Sequence, residues 1–194
     1  MNLNIHSELP ERKDWRIGCV GSGFIMSDCH LVAYGKAGFN PVAIASRTQA
    51  NAATCAEAHN IGTVHSTIDR LLDDESIEVL DLAVPPDNQL EIIKAACARG
   101  TAKGILAQKP LGANYAEAVE AVKACEAAGI VLAVNQNMRY DQSVRAGKTL
   151  LENGTIGEPV LATIDMRGIP HWMPWQERQD WITLRIMSIH HMDT

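Results

Sequence analysis

Aromatic residues are scarce: two Phe, three Tyr and four Trp make up 5% of the chain. A core built here must therefore rest on aliphatic and small side chains. No apolar run approaches the roughly 20 residues of a membrane-spanning helix, so no membrane partner is expected. Residues 1–15 lack the apolar centre of a secretory signal. Basic side chains are outnumbered 17 to 23, for a net charge of −6. That balance excludes an overall basic footprint for nucleic acid. The five cysteines form no CxxC pair and are odd in number, which argues against a disulfide framework or a zinc knuckle. A cytoplasmic setting with reduced thiols is expected, the cysteines serving as small packing residues in apolar segments. Internal repeats and low-complexity runs are absent as well.

What is present is a chain of 194 residues, 46% hydrophobic, long enough to bury a core without a staple. Residues 1–14 are polar and read as a tail. From there, short apolar runs alternate with longer helical patterns. Strands are predicted at 16–20, 41–46, 63–65, 78–84, 104–107 and 130–134. Helices are predicted between them: 25–36, one after a Thr48 cap to 59, and one carrying Ile68, Leu71 and Leu72. Two more follow, one over 88–98 capped by Asp87 and one from an Asn114 cap to 128. Strands of four to seven residues separated by helices imply βαβ units. Their near-continuous apolar character implies a parallel sheet covered on both faces. The fold class is thus α/β, a doubly wound parallel sheet over residues 15–138.

The texture changes after Arg139. Asp141 caps another helix to 152, and residues 160–166 alternate as a half-exposed antiparallel strand would. Residues 139–194 are expected to begin an α+β domain with a mostly antiparallel sheet, incomplete where the chain stops. On that expectation the chain alone binds nucleotide without turning over substrate.

Three motifs carry chemistry. The first is Gly21-Ser-Gly23-Phe24-Ile25-Met26, between a strand and a helix, where a dinucleotide fingerprint belongs. Gly21 permits the tight turn and Gly23 a close approach of backbone to pyrophosphate, next to a helix N-terminus that favours anions. Met26 stands where a third glycine is common. The second motif is Ser46-Arg47-Thr48 at the end of the second strand. NAD sites usually carry an acid there for the ribose hydroxyls; a guanidinium and hydroxyls suit a 2′-phosphate. NADP is therefore favoured over NAD. The third is residues 107–112, AQKPLG, which place Lys109 at the carboxyl end of the fifth strand, the edge at which open parallel sheets bind ligands.

Taken with residues 84–89, VPPDNQ, with Arg139-Tyr140 and with residues 153–159, NGTIGEP, these segments resemble the Gfo/Idh/MocA oxidoreductases in order and spacing. The resemblance covers nearly everything from Arg16 onward. It implies an NAD(P)-binding Rossmann domain followed by an open sheet domain. The activity implied is hydride transfer on sugars, polyols or related ring compounds, in a full-length protein that is a homo-oligomer. It places Gly21, Gly23, Phe24, Ile25, Ser46, Arg47, Val84, Pro85, Gln89, Gln108 and Asn137 at the cofactor. It brings Lys109 to the substrate and implies a cis peptide before Pro110. The chain departs from the family pattern at Gln108, usually Glu, at Gln89, usually His, and at Ile186, usually Asp.

Alcohol oxidation needs a base of near-neutral pKa for the hydroxyl proton. Lysine is a poor base at its ordinary pKa of about 10.4, but burial and a neighbouring positive charge lower it. Histidine needs little adjustment. Lys109 and His190 therefore form the expected catalytic pair, with His191 a weaker alternative. No carboxylate or cysteine cluster accompanies the two histidines, so no metal site is expected. Trp172 and Trp175 bracket Pro174 in a segment that would serve either to line a substrate cleft or to pack between domains or subunits. A non-catalytic dinucleotide sensor on the same fold is the rival reading: Gln108 and Ile186 favour it, Lys109 and His190 the enzyme.

Overall fold

The computed structural model describes residues 3, 5–163 and 165. They group into two compact units, Leu9–Asn135 and the described parts of Met1–Glu8 and Gln136–Thr194.

In the larger unit, six strands form one parallel sheet: β1 (Ile17–Val20), β2 (Ala43–Ala45), β3 (Thr63–Val64), β4 (Val79–Leu82), β5 (Gly104–Gln108) and β6 (Val131–Asn135). The strand order is β3-β2-β1-β4-β5-β6. The chain runs outward from β1 to β3, returns beside β1 with β4, and runs outward the other way. The switch point between β1 and β4 opens a crevice at the carboxyl edge, the ligand site of open α/β sheets.

Successive strand residues face opposite sides, and the core divides accordingly. Val20, Ala43, Ala45, Leu80, Leu82, Ile105 and Ala107 pack with Leu71, Leu72, Ile93, Ala96, Ala121 and Cys125 of α3 (Ile68–Leu72), α4 (Pro86–Arg99) and α5 (Tyr115–Ala128). Ile17, Cys19 and Ile44 pack on the other face with Met26, Leu31, Ala52, Cys55 and Ala56. These belong to a π-helical turn (Ile25–His30), α1 (Leu31–Ala37) and α2 (Gln49–His59). The sheet is doubly wound, as the apolar strands predict.

Local details differ from the sequence reading for identifiable reasons. The helix after the glycine turn opens with wide π turns before α1 begins. Pro86 itself occupies the first turn of α4, with Pro85 at the cap position instead of Asp87; a proline lacks the N–H that this position leaves unused. Thr48 precedes α2 without a side-chain cap bond, whereas Thr67 caps α3 by accepting from the Arg70 N–H. Asn114 does cap α5, accepting from the Glu117 N–H, while Glu117 reaches back to the Ala113 N–H at 2.9 Å, a reciprocal capping box displaced by one residue. The polar N-terminal segment is engaged: Arg12 bonds Glu78 at 2.7 Å and lies 3.7 Å above the Trp15 ring.

The smaller unit contains a 3₁₀ turn (Asn137–Tyr140) and α6 (Gln142–Glu152), which Asp141 caps through the Ser143 N–H. Arg145 and Thr149 of α6 donate to the carbonyls of His6 and Leu3. Of the strand expected over 160–166, residues 160–163 and 165 are exposed and in no strand, and the other two lie outside the described residues. In the NGTIGEP segment, residues 153–156 form turns and residue 158 a bend.

Candidate active site

The site begins at the end of β1. Gly21 has φ +102 and donates its N–H to the Ala45 carbonyl at 2.8 Å, tying the turn to the end of β2. A Cβ on Gly21 would stand 2.5 Å from the Ala83 carbonyl oxygen, just beyond β4. Only glycine lets the chain turn at this switch point. Gly23 differs: a Cβ there would meet nothing within 4 Å. It is exposed, as is Phe24, and Ile25 starts the π turn. The open space over Gly23, beside helix N–H groups, fits a dinucleotide pyrophosphate.

Ser46 is half-buried and Arg47 exposed, immediately after β2. Val84 is half-buried and Pro85 exposed, after β4. Because all strands are parallel, these residues share the carboxyl edge with Gly21 and Gly23.

Lys109 follows β5 at the same edge, and its peptide bond to Pro110 is cis, as the resemblance implies. The lysine is half-buried, and burial pushes its ammonium down to about 8. The charged form loses hydration that no low-dielectric surrounding replaces.

Two glutamines hold this turn. Gln89, fully buried on α4, donates from Nε2 to the carbonyls of Gln108 (2.9 Å) and Pro110 (2.8 Å) and accepts from the Gln108 N–H at 2.7 Å. Expected at the cofactor, Gln89 instead spends its amide on the backbone of the Lys109 turn. Its shape meets the orphan donor and acceptors of a sharp loop, which would otherwise be costly to bury. Gln108 turns its Oε1 to the Lys109 N–H at 2.9 Å.

Below Gln108 lies a cluster that the sequence motifs omit. His30 Nδ1 is 2.8 Å from Asp81 Oδ2, and Tyr34 donates its hydroxyl to the same oxygen at 2.7 Å. His30 Nε2 is 2.7 Å from Asn135 Nδ2 and 3.4 Å from Gln108 Nε2. One signal was available: Asp81 is a lone charge inside the apolar run 79–84.

Asn137 is exposed in the smaller unit. His190, His191, Ile186 and the tryptophans 172, 175 and 181 lie outside the described residues. Among the described residues no cluster of His, Cys, Asp or Glu is arranged to hold a metal, and no helix is long and apolar enough to cross a membrane.

A doubly wound sheet with a glycine turn at its switch point defines a dinucleotide-binding domain of the Rossmann type. Residues 15–136 match the Gfo/Idh/MocA oxidoreductase family, described by its NAD-binding Rossmann fold, and the chain belongs to that family. It is 25% identical to D-apiose dehydrogenase of Paraburkholderia graminis, over 93% of this chain and 48% of that protein. An NAD-binding oxidoreductase from Klebsiella pneumoniae superposes with a TM-score of 0.69 at 29% identity, covering 76% of this chain and 41% of that one. A levoglucosan dehydrogenase in complex with NADH and L-sorbose gives 0.68 at 29%, over 75% and 41%. The chain spans about half or less of the length of the curated relatives it matches.

Proposed function

We propose that the protein transfers a hydride between NAD(P) and a sugar, polyol or related ring substrate. The observation that carries this is Lys109, a half-buried lysine held near pKa 8 at the same sheet edge as the glycine turn. The relatives support the substrate class: one is named a D-apiose dehydrogenase and another a 1,5-anhydro-D-fructose reductase.

When bound, the nicotinamide accepts or returns the hydride. The chain's own residues do the rest. Gly21 makes the turn and Gly23 seats the pyrophosphate, with Phe24, Ile25, Val84 and Pro85 around it; Asn137 is assigned to the cofactor by family resemblance. Gln89 and Gln108 hold the Lys109 turn. Lys109 Nζ binds the substrate oxygen and takes the hydroxyl proton during oxidation. His190 is proposed to exchange that proton onward. Residues 139–194 are proposed to begin a substrate and oligomerisation domain. Reduction of NAD(P) by the full-length protein in the presence of a panel of sugars and polyols tests the reading, and a full-length protein that binds nucleotide but reduces none with any of them would be the sensor instead.

Arg47 is assigned to the 2′-phosphate, with Ser46 beside it. NADPH is expected to bind more tightly than NADH, and Arg47→Ala to narrow the gap. A hydrogen bond to a charged group contributes roughly 1.5–3 kcal/mol, so the difference is about tenfold or more. Titration calorimetry with both nucleotides checks this; equal affinities in the unmutated protein would refute it.

A further inference from the structure

Asp81 is an unusual residue for its place. In the sheet register, Ile44, Cys19, Asp81, Leu106 and Ala133 form one row across five strands. A fully buried carboxylate stands there among aliphatic neighbours. An apolar side chain would cost less, and a buried charge persists only with partners. Its partners come from the helix that the glycine turn opens: His30 ends the π segment and Tyr34 follows one turn later. Burial pushes both the Tyr34 hydroxyl and the Cys19 thiol upward, so both stay protonated and Tyr34 donates to Asp81.

The proton on His30 can be placed. Nδ1 faces both Asp81 oxygens, at 3.0 and 2.8 Å, and must carry a proton there. The Lys109 backbone N–H can only donate, so the Gln108 atom beside it is the oxygen and the Gln108 NH2 is turned to His30 Nε2. The Gln108 NH2, 3.4 Å away, needs a lone pair on Nε2, so His30 carries its proton on Nδ1, and the Asn135 amide, 2.7 Å from the same nitrogen, turns its NH2 to it. Gln108 and Asn135 are cross-strand partners at the ends of β5 and β6.

We propose that His30 is a positioning residue: Asp81 sets its tautomer, and its Nε2 lone pair fixes the amides of Gln108 and Asn135, and through Gln108 the backbone of Lys109. This rests on the reading of Lys109 as the substrate-side group. It accounts for the buried charge, because a carboxylate, unlike an apolar residue, selects one tautomer of the imidazole.

Asp81→Asn tests it with almost no change in volume. The new amide donates to Nδ1, so the His30 proton moves to Nε2 and opposes the Gln108 NH2. Nitrogen-15 NMR of labelled histidine should show the Nδ1–H form in the unmutated protein and the Nε2–H form in the variant. Carbon-13 NMR of labelled lysine should show Lys109 titrating near 8 in the former and higher in the latter. With any sugar or polyol that the unmutated protein oxidises, kcat should fall about tenfold to a hundredfold, the scale of a small misplacement, with nucleotide affinity kept. If Asp81→Asn does not fold, Gln108→Met cuts the same chain one step later. Lys109 should then move while His30 keeps its Nδ1 proton. A His30 protonated on Nε2 in the unmutated protein, or a Lys109 titration unmoved by the variant that folds, overturns the proposal. Both NMR readouts need no substrate. Turnover that survives Lys109→Met would refute the catalytic reading of Lys109 and leave them standing.

Discussion

Lys109→Met should abolish most turnover in the full-length protein and make the fold more stable at neutral pH. Proton transfer by a positioned side chain contributes about 10²–10⁴-fold, and kcat should fall on that scale. Nucleotide affinity should hold, since the glycine turn and the Gln89 and Gln108 clamps act on backbone atoms that methionine retains. The stability change follows from linkage. Lys109 titrates near 8 when folded and near 10.5 otherwise. Between those values the unfolded chain holds more protons, so stability climbs with pH through that window. Below about 8 both states are protonated and the folded state bears the full cost of a desolvated ammonium. Methionine removes that cost. At pH 7 the variant's Tm should rise by about 2–4 °C, the response of a chain of this size to about 1 kcal/mol. The advantage should vanish near pH 10.5, where the lysine is neutral in the fold. Turnover of the unmutated protein in the oxidative direction should rise through pH 8 as Lys109 loses its proton. Calorimetry at the two pH values and a pH–rate profile check all three. Unchanged turnover would remove Lys109 from the chemistry.

Those parts of the fold that rest on local rules were legible in the sequence. The apolar runs at 16–20 and 78–84 contain β1 and β4, and the run at 104–107 is β5 short of its last residue, Gln108, because a strand buried on both faces is mostly apolar. Glycine turns and the Asn114 and Asp141 caps bound their elements, since each supplies a backbone conformation or hydrogen bond that few residues supply. The His30, Tyr34, Asp81 and Asn135 cluster was not legible. His30 and Asp81 are 51 positions apart, and His30 and Asn135 are 105 apart. Only the parallel register and the wide π turn bring them together. Family resemblance puts Gln89 at the cofactor, and glutamine carries no signature in sequence that separates a loop clamp from a cofactor contact. What separates them is burial, which depends on how α4 packs against β5. Residues 160–163 and 165 alternate as a half-exposed strand would, yet are exposed and in no strand.

Gly21 and Gly23 belong to one motif but should fail in opposite ways. Gly21→Ala puts a methyl 2.5 Å from the Ala83 carbonyl oxygen, at φ +102. A non-glycine residue in such a conformation costs about 1–3 kcal/mol, and the collision with backbone about as much again. At about 2–4 °C per kcal/mol, Tm should drop by roughly 10 °C. Nucleotide binding should then fail only because the fold does. Gly23→Ala meets nothing within 4 Å and has no positive φ to strain, so Tm in the absence of nucleotide should stay put. The same methyl fills the space through which a pyrophosphate approaches the backbone, and NADPH affinity should fall about tenfold or more, equivalent to at least about 1.4 kcal/mol. Thermal melts with and without NADPH separate the two effects. In Gly23→Ala the shift that nucleotide produces should shrink while the baseline melt is unchanged. If Gly23→Ala binds NADPH as the unmutated protein does, the pyrophosphate does not pass over this turn. If Gly21→Ala melts normally, the switch point does not need the close approach of β1 to the end of β4.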